Sequence, residues 1–286
     1  MDDQQHDHDR GLELDLPTLM TRRRVLQVLG GAGVGAGLLA VAGCGSSSSA
    51  DTTATTAGSP ASTSSSSTPT TAATTVATVT QIPEETAGPY PGDGSNGPDV
   101  LSESGVVRSD ITSSFGGMSG TATGVPLTIR LKVLDVAAGA TPKEGAAVYV
   151  WHVDAQGRYS LYTKGATDQN YLRGVQAADA DGWVTFQSVF PACYDGRWPH
   201  IHFEVYESVA DASNVKNKIA TSQMATPQDV CEKVYADTSL YPSSASLLKS
   251  VSLTTDMVFR DSWQTELGTV TGDTTSGYTA SLNVGV

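Results

Sequence analysis

The stretch Phe190-Pro-Ala-Cys-Tyr-Asp-Gly-Arg-Trp-Pro-His-Ile-His-Phe203, continued by Glu204-Val-Tyr206, decides the expected fold. From His200 onward polar and apolar residues alternate, the period-2 pattern of a strand with one buried face. The imidazoles of His200 and His202 then point the same way, roughly 7 Å apart along the strand. Two neutral imidazoles on one strand face can bind one metal ion, although such pairs also occur as surface or satisfied core histidines.

Several other segments have the composition and alternation of strands. Two segments instead favour short helices, and one of these has Thr226 as its N-cap with Pro227 and Asp229 in the first turn. Many short strands and few helices predict an all-β fold, an antiparallel β-sandwich with one or two short helices. The strand segments are 127–133, 146–153, 183–189, 200–206, 219–224 and 277–284, the helical ones are 227–235 and 241–248, and residues 83–92 form an irregular extended segment.

The first 43 residues have the pattern of a bacterial export signal. Thr21-Arg-Arg-Arg-Val-Leu-Gln27 resembles a twin-arginine signal, and a Gly/Ala-rich apolar run follows it. The run ends in Val41-Ala-Gly-Cys44, which resembles a lipobox and predicts lipid attachment at Cys44. A membrane anchor is the alternative, but so many glycines make a poor membrane helix.

Residues 44–80 are almost entirely Ser, Thr, Ala and Pro, which predicts a disordered linker. The remaining residues, 81–286, suit one domain. The sequence therefore predicts an exported, extracytoplasmic domain that is tethered to the bacterial cell membrane as a lipoprotein.

The charge of the chain limits its partners. The formal net charge is −13, and the first 43 residues hold six acids and four bases, so the rest carries −11. An acidic chain without a basic cluster is a poor partner for nucleic acid or for anionic lipid. Contact with a membrane is therefore expected only through the lipid anchor.

The three cysteines divide by their positions. Cys44 belongs to the processing site, which leaves Cys193 and Cys231 as a pair in an oxidising compartment. We predict that these two form a disulfide, with two buried free thiols as the alternative.

Only three histidines, His152, His200 and His202, lie beyond residue 43, so other ligand types are needed for a larger metal site. Gly157-Arg-Tyr159 follows the 146–153 segment, and Tyr194 lies six residues before His200. Together with Arg197-x-x-His-Ile-His202, these residues resemble the intradiol ring-cleavage dioxygenases, a family that includes protocatechuate 3,4-dioxygenase and catechol 1,2-dioxygenase. The resemblance covers residues 83–223.

The resemblance implies a β-sandwich that holds a non-haem Fe(III) ion with two tyrosinates and two imidazoles. By position, Tyr159 and Tyr194 would be the phenolate ligands, and His200 and His202 the imidazole ligands. Two anionic oxygens favour Fe(III) over Fe(II), since a trivalent cation can hold tyrosine as phenolate near neutral pH.

The same resemblance implies the reaction. A catechol and O2 would be the substrates, and a cis,cis-muconate-type acid the product. Tyr194 would leave the metal and accept a proton, and Arg197 would stabilise negative charge on the substrate. Gln223, in Thr-Ser-Gln-Met, matches the family's glutamine near the pocket on a short motif only.

Each of these residues also has a structural interpretation. Tyr159 could be a turn aromatic, Tyr194 a core tyrosine, and Arg197 the partner of Asp195 or Glu204; His152 is expected to be structural. The alternative function is a non-catalytic extracytoplasmic β-sandwich that binds a carbohydrate or a cell-wall component. The residues specify neither which catechol is bound nor the oligomeric state.

Overall fold

In the computed structural model, which describes residues 79–286, the first sheet is built around one alternating strand, β1 (Pro126–Asp135). Its apolar residues at every second position are buried, so one face of the strand joins the core. Strand β5 pairs with β1 antiparallel, and β9 pairs with it in parallel. The sheet also contains β2 (Thr141–Pro142), β5 (Trp183–Val189), β8 (Thr269–Asp273) and β9 (Gly277–Gly285).

The second sheet carries the histidine pair. Its strands are β3 (Ala147–Trp151), β4 (Arg173–Ala177), β6 (His200–Tyr206) and β7 (Lys218–Ala225). Their order in the sheet is β4-β3-β6-β7, and every pair is antiparallel. All seven residues of β6 are buried, because neighbouring strands flank it and both of its faces are covered.

Within residues 79–286 the helices are short and lie toward the C-terminal end. They are α1 (Gln228–Val234), α2 (Ser244–Leu247) and α3 (Trp263–Glu266). Four 3₁₀ turns accompany them, at Asp211–Ser213, Val215–Asn217, Leu248–Ser250 and Phe259–Asp261. Helix α3 packs beside β7, where Ala225 forms an isolated bridge with Leu267.

The two sheets share one hydrophobic core. Leu127, Ile129 and Leu131 of β1 are fully or almost fully buried in it, as are Ile201 and Phe203 of β6. Burying side chains of this size contributes about 1.5–3 kcal/mol each. The inner face of the second sheet is therefore the face of Ile201 and Phe203, and the two histidines of β6 lie on its outer face.

The outer face of the second sheet is covered by residues 83–92, here called the arm. The backbone N–H of Glu85 donates to the carbonyl of Thr221 at 2.8 Å. The side chain of Gln223 donates to the carbonyl of Thr86 at 2.9 Å. The arm therefore lies along β7 and buries this part of the outer face of the sheet.

Most of the predicted elements are present. The all-β sandwich is confirmed, with strands at all six predicted positions and short helices within both predicted segments. The pairing is not wholly antiparallel, since β1 and β9 run in parallel. The predicted capping role of Thr226 is wrong. Its hydroxyl donates to the carbonyl of Pro199, and Pro227 occupies the N-cap position without a side-chain cap.

The predicted signal region (1–43), the lipidation at Cys44 and nearly all of the predicted linker (44–80) lie outside the described residues. From residue 79 onward, the structure contains no helix with the length and apolar character needed to cross a membrane.

Candidate metal centre

Four side-chain donor atoms converge on the outer face of the second sheet. Tyr159 Oη lies 3.1 Å from His202 Nε2 and 3.5 Å from Tyr194 Oη. Tyr194 Oη lies 3.4 Å from His200 Nε2, and the two Nε2 atoms are 3.0 Å apart. The four atoms therefore form a closed ring, and they belong to the four residues predicted as metal ligands.

The histidines owe their orientation to β6 and to what surrounds it. Because they are two residues apart on one strand, their rings project from the same face. His200 Nδ1 is hydrogen-bonded to the carbonyl of Trp198, which makes Nδ1 the protonated nitrogen and leaves the Nε2 lone pair for a metal. The ring of His202 stacks on Trp151 of β3, with centroids 4.8 Å apart and planes 6° from parallel.

Tyr159 is positioned by the turn after β3. Asp154 Oδ1 accepts the backbone N–H groups of Gln156 and Arg158, and its Oδ2 accepts from Arg158 Nε at 2.8 Å. Gly157 has a φ of +76°, a left-handed conformation that favours glycine. The closed turn fixes the chain just before Tyr159.

Tyr194 comes from the loop that leads into β6. Its ring meets the ring of Tyr159 edge-on, with centroids 5.8 Å apart. Tyr159 is 3% exposed, whereas Tyr194 is only partly buried. Tyr194 is thus the outermost of the four donors.

Both imidazoles are neutral. Burial, followed by the charge of Arg197, lowers the pKa of His200 to about 3. Burial and the adjacent His200 lower the pKa of His202 well below its ordinary value. Neutral imidazole is the form that binds metals.

The donor ring fits a metal ion. Donors held about 2 Å from one ion lie about 2.8–3.5 Å from one another when the angles at the ion are about 90–120°. The four separations of 3.0–3.5 Å fall in this range. Within residues 79–286 no group of three or more His, Cys, Asp or Glu side chains is arranged to bind a metal. A four-donor site in this part of the chain therefore needs the two tyrosines, whose phenolates suit a ferric ion.

Arg197 and Gln223 are brought together beside this ring. An Nη group of Arg197 donates to Gln223 Oε1 at 2.6 Å. Gln223 lies opposite His202 in the β6–β7 register, so its side chain shares the outer face with that histidine. The structure thus places Gln223, which was matched to the family on a short motif only, next to the predicted catalytic arginine. The Nε2 group of Gln223 donates to the carbonyl of Thr86 in the arm.

Asp256 was not predicted from the sequence, yet it binds this arginine. Its Oδ2 accepts from Arg197 Nε at 3.0 Å and from the backbone N–H of Trp198 at 2.7 Å. The sequence suggested Asp195 or Glu204 as the partner of Arg197, but Arg197 Nε donates to Asp256 instead. No local pattern in Thr254-Thr-Asp256 marks the role of this aspartate, because the contact spans 59 residues.

The predicted disulfide between Cys193 and Cys231 is wrong, because both are buried free thiols. The Cys193 thiol is directed at the carbonyl of Arg197, 3.6 Å away. Cys231 Sγ lies 3.0 Å from the hydroxyl of Thr226. Burial raises the pKa of each thiol to about 12, so both stay protonated.

His152 lies on the inner face of the second sheet, away from the donor ring. Its Nε2 is 2.7 Å from the hydroxyl of Ser188 and its Nδ1 is 2.8 Å from the carbonyl of Val153. Burial lowers the pKa of His152 to about 4. The expectation of a structural role for His152 agrees with these contacts.

Known proteins resemble the chain in sequence and in fold. A family model described as Dioxygenase matches residues 96–209. A chlorocatechol 1,2-dioxygenase of Rhodococcus opacus is 38% identical over 55 residues, which are 19% of this chain and 21% of that protein. The match thus spans about a fifth of the relative.

Two solved structures share the fold. An intradiol ring-cleavage dioxygenase from Tetranychus urticae superposes with a TM-score of 0.56 at 23% identity, covering 72% of this chain and 94% of that one. A second dioxygenase structure has a TM-score of 0.57 at 24% identity, with coverages of 72% and 93%. The Dioxygenase match over residues 96–209 and the shared fold make the chain similar to the intradiol ring-cleavage dioxygenases.

Proposed function

We propose that the protein is a non-haem Fe(III) intradiol dioxygenase that cleaves a catechol with O2. The observation that carries the proposal is the closed ring of two tyrosine oxygens and two histidine nitrogens, with neighbouring atoms 3.0–3.5 Å apart. Such a donor set provides two negative charges from oxygen, which favours a ferric ion. A ferric ion bound there would supply the activation of a catecholate toward O2.

Three of the four donors are suited to stay in place. Tyr159, His200 and His202 are almost fully buried, and the ring nitrogen or ring face of each histidine has a further contact that fixes it. Tyr194 is the partly exposed donor on the loop before β6. It is therefore the residue that can swing away when a catechol arrives.

Proton transfer belongs to Tyr194 in this proposal. A catechol would bind as a dianion after losing both hydroxyl protons, one to Tyr194 Oη as this residue leaves the donor ring and the other to water. The guanidinium of Arg197 lies beside the donor ring and provides positive charge next to the electron-rich substrate. Asp256 and Gln223 hold this guanidinium in place.

The reaction adds both atoms of O2 to the substrate. The bond between the two hydroxyl-bearing carbons breaks and two carboxylic acids form, so that catechol and O2 together give cis,cis-muconic acid. The non-catalytic binding module considered from the sequence is not favoured, since the family match and the convergent donors both support an enzyme.

An exported, lipid-anchored location is part of the proposal and rests only on the sequence of residues 1–80. The signal, Cys44 and the Ser/Thr/Ala-rich linker would hold the described domain outside the cytoplasm.

The test is to load the full chain with iron and to measure its metal content, its visible absorption and its O2 uptake with a panel of catechols. We expect one iron per chain, a tyrosinate-to-iron absorption, and ring-opened product. Tyr159→Phe and Tyr194→Phe should each weaken and shift the absorption, the double variant should lose it, and turnover should fall about 10²–10⁴-fold in Tyr194→Phe.

Tyr162→Phe is the matched control, because Tyr162 lies near the site but its hydroxyl bonds to Asn96 and Gly92 rather than to the donor ring. It should keep the iron and the absorption. A colourless wild-type protein that binds no iron and leaves catechols intact would refute the proposal.

A further inference from the structure

Arg173, the first residue of β4, is a buried cation that uses every donor it has. It is 1% exposed. Its Nε donates to Ser160 Oγ at 3.0 Å, and one Nη donates to the carbonyl of Pro91 at 2.6 Å and to Tyr149 Oη at 3.0 Å. The other Nη donates to the carbonyls of Tyr90 and Ser160, at 2.9 and 3.0 Å. These five bonds match the five N–H groups of a guanidinium.

The partners of Arg173 adjoin the candidate metal centre on two sides. Ser160 directly follows Tyr159 in the chain, and Arg173 binds both its hydroxyl and its carbonyl. Tyr90, in the arm, packs its ring on that of Tyr159, with centroids 4.9 Å apart. Arg173 therefore fixes both the backbone after Tyr159 and the aromatic ring beside it.

The backbone near these contacts is unusually constrained. Leu161 has a φ of +74° and Leu172 a φ of +56°. Left-handed backbone at a non-glycine residue costs on the order of 1–3 kcal/mol and persists where surrounding contacts impose it. Leu161 directly follows Ser160, and Leu172 directly precedes Arg173. The strained backbone therefore adjoins both partners of the Ser160–Arg173 hydrogen bonds.

The backbone of the arm lies in close contact with the guanidinium of Arg173 at Gly92. Gly92 has a φ of +67°, and a Cβ on this residue would lie 2.8 Å from an Nη atom of Arg173. Only a glycine leaves the room for the guanidinium to reach the carbonyls of Tyr90 and Pro91.

We propose that Arg173 is a positioning residue of the candidate centre, which sets the place of the Tyr159 phenol by fixing Ser160 and the Tyr90–Pro91 backbone. The inference rests on the proposed function in so far as Tyr159 is a metal ligand. A lysine cannot take over this role, because it has three donors on one nitrogen and lacks the planar fork.

The experiment compares Arg173→Lys with Arg108→Lys in the full chain. Arg108 is a matched control, since its guanidinium also donates to backbone carbonyls, those of Arg173, Ser113 and Asn170, but it donates no hydrogen bond to Ser160 or to the arm. The first readout is amide hydrogen exchange of the metal-free protein, and the second is the tyrosinate-to-iron absorption after loading.

We expect exchange at residues 85–92 and 159–161 to rise about ten-fold or more in Arg173→Lys, and the absorption maximum to shift. Arg108→Lys should change neither, even if it lowers stability. If Arg173→Lys does not fold, Ser160→Ala removes a single acceptor next to Tyr159 and should move both readouts in the same direction by less.

Two results would overturn the inference: wild-type exchange and absorption in a folded Arg173→Lys protein, or equal changes in the two arginine variants. The two proposals also fail differently. A wild-type protein without iron absorption refutes the proposed function, whereas the exchange data of the metal-free protein decide the role of Arg173 by themselves.

Discussion

At the scale of single residues, the carboxylate of Asp256 organises the side of the site that faces Arg197. Besides Arg197 and the backbone of Trp198, it accepts the N–H groups of Val258 and Phe259, at 2.8 and 3.2 Å. Burial opposes its ionisation, but the charge of Arg197 and these N–H groups lower the pKa of Asp256 below its ordinary value. A buried carboxylate with four donors holds the arginine and the loop before β6 in one arrangement.

Replacing Asp256 by Asn should therefore weaken the protein and its catalysis together. The amide would direct N–H groups at other donors and leave the buried Arg197 without its counter-charge. Breaking a buried ion pair costs about 3–5 kcal/mol. We expect the free energy of unfolding, measured by urea denaturation, to fall by about 3 kcal/mol, and kcat to fall more than KM rises.

Asp181→Asn, at an exposed turn position, is the control and should change neither quantity. A folded Asp256→Asn protein with wild-type stability and kcat would show that Asp256 does not hold Arg197 in its working position.

The sequence predicted the site residues where they lie close together in the chain. Tyr194, Arg197, His200 and His202 are within nine residues, and together with Tyr159 they carry the family resemblance that implied a metal centre. Asp256 was missed because its partner is 59 residues away and one aspartate has no local signature. The thiols were misjudged because a pair of cysteines says nothing about where their side chains point.

At the scale of elements, helix α3 brings an acid into the protein interior beside β7. Glu266 is fully buried and accepts a hydrogen bond from Ser222 of β7 at 3.3 Å. Burial raises the pKa of Glu266 to about 7, and the charges of Asp261 and Asp256 raise it further against the hydrogen bonds of Ser262 and Ser222. The packing of α3 on β7 is thus sensitive to pH.

The direction of this effect follows from proton linkage. The pKa of Glu266 is higher in the folded protein, at about 7, than the ordinary glutamate value of about 4.3. The contribution of Glu266 to the free energy of unfolding is therefore fully present below about pH 4.3, and it is lost as the pH rises through about 7. We expect Glu266→Gln to match the wild type near pH 4.5 and to exceed it at pH 8 by up to about 3 kcal/mol in the free energy of unfolding.

Urea denaturation of the wild type and of Glu266→Gln between pH 4.5 and 8 measures the difference in their free energies of unfolding. The other titrating groups are the same in both proteins, so their effects cancel in this difference. Glu103→Gln, at an exposed position, should follow the wild type at every pH. Parallel curves for the wild type and Glu266→Gln would mean that Glu266 keeps an ordinary pKa in the folded state.

The strands that the sequence predicted are those with alternating apolar residues. Strand β8 was missed because most of it is exposed and polar, and β4 because a buried arginine begins it. The parallel pairing of β1 with β9 was also beyond the pattern, since alternation specifies the buried face of a strand but neither its neighbour nor its direction.

At the scale of the whole molecule, the candidate centre joins three separate parts of the chain at one point. Tyr159 comes from the connection between β3 and β4, Tyr194 from the loop before β6, and the histidines from β6 itself. The arm covers them on the outer face of the second sheet. Any ligand that binds all four donors therefore stabilises the folded state against the unfolded one.

Iron loading should consequently raise the melting temperature of the full chain. At a free metal concentration 100 times the dissociation constant, the gain is about 2.7 kcal/mol. This corresponds to about 5–10 °C for a domain of about 200 residues. Calorimetry of the metal-free, iron-loaded and chelator-stripped protein measures the shift, which should be reversed by the chelator.

The variant His200→Ala with His202→Ala removes both nitrogen donors and should melt at the same temperature with and without iron. His152→Asn is the matched control, because this histidine is equally buried but bonds to Ser188 on the inner face. It should keep the iron-dependent shift even if its own melting temperature is lower. An equal shift in the double variant would mean that iron stabilises the protein from another place, and the donor ring would then not be the metal centre.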